Sequence, residues 1–170
     1  MKPASLHSRD LDKEVKTWTE NISTGALRDV VGSLGRRVRR VDRSYDIPYI
    51  AGYSRDGSTI FIDRHMPHVF SWHGKRIPVD QFLLTHEIVE KALVDKLRLH
   101  YLHAHQIAMR IEKAAVQAAG IRWRDYNRFT KKNEKKIGDE RLHKVPRSLD
   151  LTPYRDEHDF ALLKRMIAAE

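Results

Sequence analysis

The chain has 170 residues, 41% of them hydrophobic, and its 32 Lys plus Arg against 23 Asp plus Glu give a formal charge of +9. That length fits one domain, and a mean hydropathy of −0.61, with no apolar run near the roughly 20 residues that span a bilayer, excludes an integral helical membrane protein. With zero cysteines, disulfides, thiolate nucleophiles and cysteine-held zinc are excluded, so any metal must be held by His, Asp or Glu.

The opening Met1-Lys2-Pro3-Ala4-Ser5-Leu6-His7 has no apolar signal core, which points to the cytoplasm. Residues 1–45 read as a basic helical segment. Leu11, Val15, Trp18 and Ile22 recur at helical spacing behind a Ser8 cap, and Leu27, Val30, Val31 and Leu34 continue after Gly25. The run from Arg36 to Arg43 reads as a solvated helix end ahead of a recognition arm.

From Asp46 the hydrophobic period becomes two. Tyr49–Ser54 and Ser58–Asp63 flank Arg55-Asp56-Gly57, the pattern of an antiparallel hairpin over about 49–63. Ile77–Asp80 leads into a helix near Gln81–Leu97 with Asp80 as its cap, and a second helix runs from near Tyr101 to Ala119 and ends at Gly120. Residues 46–120 thus form a hairpin plus two-helix core. Residues 121–170 read as a basic connector and a last helix near Pro153–Ala169, with Phe160, Leu163, Met166 and Ile167 on one side. Within it, residues 121–148 carry ten Lys or Arg against four acids. The fold class expected is α+β: a single, mostly helical domain with a small antiparallel sheet next to the His86 helix.

Seven of the ten histidines (His65, His68, His73, His86, His100, His103 and His105) fall within 41 residues. Among them His86 and Glu90, four apart on a helix, point to one side one turn apart, where both can reach one ion. The stripe Phe82, His86, Val89, Leu93 and Leu97 faces inward with Glu90 at its border. On the next helix Leu102, His105, Ala108, Met109 and Glu112 share a face. If the two helices form a hairpin turning near Leu99, His86 is level with Glu112, and His105 comes within about one turn of Glu90. Two inward carboxylates want a cation, and a divalent metal supplies it. His103 is an alternative third ligand, and Glu112 is either a ligand or a partner of one. The loop histidines His65, His68 and His73 are expected to be solvated. Trp123, Tyr126 and Phe129 either stack on bases or pack a helix with a basic outer side.

A strand hairpin, then a helix bearing His86-Glu87-x-x-Glu90, then a helix with a further His and Glu, resembles the zincin-type metallopeptidases and their His-Glu-x-x-His signature. The resemblance implies a zinc-dependent hydrolase acting on peptide or protein, with His86 as the first ligand and Glu87 as the general base that activates water. Glu90 stands where the second His is expected, with His105 as third ligand. The donor set also admits manganese or iron. Tyr126, His143 and Tyr154 are candidates for stabilising an oxyanion. Two other functions compete. One is a basic module that binds nucleic acid through residues 36–43 and 121–148, and the other is a non-catalytic, phage-like accessory protein with a decayed metal site.

Overall fold

The computed structural model describes Asp29, Gly32, Ser33 and residues 35–170. The helical reading of Leu11, Val15, Trp18, Ile22, Leu27, Val30, Val31 and Leu34, with its Ser8 cap, lies outside those residues. The architecture is α+β. Strands β1 (Arg40–Asp42), β2 (Ala51–Tyr53) and β3 (Thr59–Ile62) form one sheet in the order β1-β3-β2, and β4 (Val69–Trp72) and β5 (Lys75–Pro78) form a second. Asp29, Gly32, Ser33 and Gly35 are helical ahead of β1, and helices α1 (Asp80–Leu97), α2 (Tyr101–Ala118), α3 (Trp123–Gly138), α4 (Thr152–Asp156) and α5 (Phe160–Ala168) follow the strands.

The expected hairpin is present, with Ala51 opposite Ile62 and Tyr53 opposite Ile60. Its turn is built by Asp56, whose carboxylate accepts from Ser54 Oγ, Ser58 N and Ser58 Oγ, and by Gly57 at φ 71°. Every residue of β3 is buried, because the strand is covered on both faces. Ile62 packs with Phe82 and Leu83 of α1, whereas Phe61 packs with Ile47, Leu149, Tyr154 and Met166 from the C-terminal part. Gly52 belongs to this arrangement: a Cβ there would lie 3.0 Å from Leu149 Cδ1.

Helices α1 and α2 form the antiparallel hairpin expected from their periodicity. Arg98 turns the chain at φ 54°, and His100 caps α2 by accepting from Leu102 N. Ala104 and Ala108, buried against Val89 and Leu93, let the two backbones approach closely.

Four expectations are corrected. Residues 40–42, read as the end of a basic helix, form β1, parallel to β3. Asp80 is not the cap of α1: Val79 holds that place without a side-chain bond, and the Asp80 carboxylate instead receives Arg43 at 2.8 Å. The stretch read as a basic connector is largely a helix, α3; of the two readings of its aromatics the packing one holds, with Tyr126 buried and Trp123 and Phe129 packed beside it. The last helix is two helices, broken where His158 takes φ 56°. Leu163 and Met166 face inward as expected, but Phe160 and Ile167 are exposed.

Candidate metal centre

The helix hairpin brings together the side chains that the sequence singles out. His86 Nε2 lies 3.2 Å from Glu90 Oε2 and 3.1 Å from His105 Nδ1, and the last two atoms are 2.8 Å apart. Three donor atoms so placed can share one ion at ordinary ligand distances of about 2.0–2.2 Å. His86 and Glu90 are buried, whereas the His105 side chain is 38% exposed, so the centre is reached from the His105 side.

Glu112 stands on the other edge of the His86 ring. Its Oε2 is 2.9 Å from His86 Nδ1, and its Oε1 accepts a hydrogen bond from the Tyr126 hydroxyl at 2.9 Å. Of the two roles open to Glu112, this geometry suits the partner of a ligand, which fixes the ring and directs Nε2 toward Glu90 and His105. The alternative ligand His103 is exposed on α2 and joins no such group.

Glu87, one residue beyond His86, is buried, and its carboxylate makes no hydrogen bond among the described residues. Burial, then the neighbouring Glu90 and Glu112, push its carboxyl well above the usual range against the pull of His86. Burial alone would lower the His86 pKa, but Glu112 and Glu90 outweigh it and raise it well above the ordinary imidazole value. Glu90 is held low: its burial is overcome by His105 and His86. No Lys or Arg forms an ion pair with any of these three carboxylates among the described residues. The buried Lys91 is engaged elsewhere, with Asp150 at 2.8 Å and Asp95 at 3.0 Å.

These groups open on a cleft of about 520 Å³. Its walls come from the β2 side (Tyr49 to Gly52), from α3 (Asn127, Thr130, Lys131, Glu134) and from the C-terminal segment (Asp150, Pro153, Tyr154, Glu157). Ile50, a β-branched residue in the left-handed region at φ 73°, forms part of the rim. Of the three oxyanion candidates, Tyr154 lines the cleft, Tyr126 is engaged with Glu112, and His143 lies away from it, donating its backbone N–H to Asp46.

Sequence reading missed two neighbours. Tyr101, whose hydroxyl is 3.4 Å from His105 Nδ1, sits four residues before His105 on the same helix face, so helical spacing was a signal for it. Tyr53 carries a buried hydroxyl that faces Glu90 and Glu87 without completing a hydrogen bond to either, and nothing local in the sequence marks it.

The loop histidines His65, His68 and His73 are exposed and do not line the cleft. His65 does meet Asp63 and Asp46 in a second group of metal-ligating types. There, however, Asp63 accepts from Ile47 N and His65 N, while Asp46 accepts from His143 N and Lys144 N and pairs with Arg64. That group is a loop staple.

No helix of the described residues is long and apolar enough to cross a membrane. Compared with protein families, with curated proteins and with solved structures, the chain matches none.

Proposed function

We propose that this chain is a metal-dependent hydrolase of zincin type, acting on peptide bonds of a peptide or protein in the cytoplasm. The observation that carries the reading is the meeting of His86 Nε2, Glu90 Oε2 and His105 Nδ1 within 3.2 Å of one another, beside a buried carboxylate, Glu87, without a hydrogen bond of its own.

The donor set fits a catalytic metal. Two imidazoles and one carboxylate are a ligand set of hydrolytic zinc sites, so a carboxylate at position 90 is balanced by an imidazole at 105. Three buried carboxylates without a Lys or Arg partner leave the pocket short of positive charge, which a divalent ion makes good. Zinc suits the set best, with manganese or iron next. Such an ion supplies a Lewis acid that makes water easier to deprotonate.

Every other part of the chemistry falls to side chains of this chain. Glu112 holds the proton of His86 on Nδ1, so that a bound ion would displace only the proton on Nε2. Glu87, raised in pKa by burial, is the base that takes a proton from water and returns it to the leaving amine. Strand β2 supports a peptide substrate. Ile50 O accepts from Asp63 N, and Ser54 N donates to Thr59 O, so ladder alternation turns the backbone groups of Ala51 to the outer edge, beside the cleft that Ala51 lines. Residues 148–150 pair with the same edge at Tyr53 and Arg55, so the backbone N–H and C=O of Ala51 are the groups left to bond a substrate's main chain.

The test is elemental analysis of protein purified without a His tag or chelating resin. Near one equivalent of a divalent metal is expected, lost in His86→Ala and retained in Glu87→Gln, which should no longer cleave an unfolded protein substrate. Less than about a tenth of an equivalent, with no metal-induced rise in melting temperature, rejects the reading.

A further inference from the structure

The net charge of +9 acquires an address in the fold. In the run from Arg36 to Arg43 several guanidiniums serve the structure. Arg37 reaches Asp95 and the Asp56 carbonyl, Arg40 pairs with Asp42, and Arg43 holds Asp80 and the Met66 carbonyl. Helix α3 is different. Arg124, Arg128, Lys131, Lys132, Lys135 and Lys136 are all exposed, and no carboxylate lies within ion-pair distance of any of them among the described residues.

At 100° per residue these six fall within an arc of roughly 140°, along about 18 Å of helix. Core positions occupy the opposite side, with Tyr126 and Ile137 buried there. Of the two acids of the helix, Glu134 falls outside that arc and lines the cleft, whereas Asp125 falls inside it at the first turn, where Trp72 Nε1 and Arg122 engage its carboxylate.

We infer that the outer face of α3 docks the phosphate backbone of a duplex nucleic acid. The inference stands apart from the metal-centre reading and does not need it. Duplex DNA carries one charge per about 1.7 Å of axis, so about ten phosphates lie along 18 Å, enough to engage the row. The partner is a backbone and not unpaired bases, because between the cations Tyr126 is buried and Phe129 packs against the core, so no aromatic row faces outward with the charges. A lipid surface fits less well, since the large exposed apolar residues of the described part are Val41, Leu97, Leu102, Phe160 and Ile167, none of them on this helix.

Fluorescence anisotropy of a labelled 20-base-pair duplex tests this, read at about 50 and 200 mM salt. With four phosphate contacts the affinity should fall about 150-fold between those two conditions. Replacing Arg128, Lys132, Lys135 and Lys136 by Ala together should weaken binding at the lower salt at least about tenfold and make the log–log salt slope shallower by about 3 to 4. Removing the same charge elsewhere, by Arg55, Lys75, Arg76 and Arg155→Ala, should leave the slope within about one of the unaltered protein. Circular dichroism should show both variants folded, because every replaced side chain is exposed. His86→Ala should bind the duplex as the unaltered protein does. The inference is overturned by no binding at the lower salt, by equal loss in the two quadruple variants, or by polyglutamate displacing the duplex at equal charge concentration. The last result would assign the face to an acidic protein.

Discussion

His86 and Glu112 meet across the helix hairpin, Nδ1 to Oε2 at 2.9 Å, although 26 residues separate them in sequence. The carboxylate is strung between an imidazole and the Tyr126 phenol, so it orients the ring without competing for the donor atom that faces Glu90. Glu112→Ala should therefore leave all three ligating side chains in place yet lower zinc affinity by about 10- to 100-fold, as loss of such a partner does elsewhere. Isothermal titration at fixed pH measures it. Affinity unchanged within about twofold would mean that Glu112 serves packing alone.

His103 and His105 separate by which face of α2 they occupy. His105→Ala should abolish stoichiometric metal uptake, whereas His103→Ala, altering an exposed side chain, should bind metal as before and change stability by no more than about 0.5 kcal/mol. Cobalt substitution gives a direct readout: the visible absorption of a low-coordinate site should vanish in the first variant and persist in the second.

Asp46 sets an acid limit on stability. Burial alone would raise its pKa, but backbone N–H groups of His143 and Lys144 and the Arg64 guanidinium outweigh that and hold it below the ordinary 3.8. With a folded value below the unfolded one, the stabilisation is fully present above the unfolded value and is lost as pH falls through the folded one. Asp46→Asn should cost about 1–3 kcal/mol at neutral pH, and its stability should fall less steeply than that of the unaltered protein below about pH 4. Urea unfolding at stepped pH reads both effects. Parallel curves would show that the carboxylate charge contributes nothing.

Gly52→Ala places a methyl 3.0 Å from the Leu149 side chain, which is fully buried and has little room to yield. A cost of about 1–3 kcal/mol is expected from overpacking. Adding Leu149→Ala should recover part of it, so the double variant would lose less than the sum of the two single losses. Strict additivity in chemical unfolding would place the strain elsewhere.

The helix hairpin was legible because α1 and α2 carry a long, uninterrupted 3.6-residue period, and Gly120 at φ 78° ends the second as glycine does. From that register alone followed both pairings, His86 with Glu112 and Glu90 with His105. The β4–β5 hairpin was missed although a signal existed. His73 and Gly74 take φ of 48° and 77°, a two-residue turn for which a residue tolerant of the left-handed region followed by glycine is the sequence mark. Other features had no local signal. Strand β1 is three residues long and is stabilised by a parallel partner almost 20 residues away. Asp80 has the composition of a cap, yet tertiary pairing with Arg43 claims its carboxylate. The Asp150 wall of the cleft depends on Lys91, 59 residues earlier.

The order in which the chain is made gives that distant wall a further meaning. A nascent chain synthesised to residue 140 already holds His86, Glu90, His105 and Glu87, but not Asp150, Pro153, Tyr154 or Glu157. Nor does it hold the residues at 143–150 that bond to Asp46, Tyr53 and Arg55. The donor groups can thus assemble on a nascent chain before residues 143–157 are made, while the enclosure around them waits for that segment.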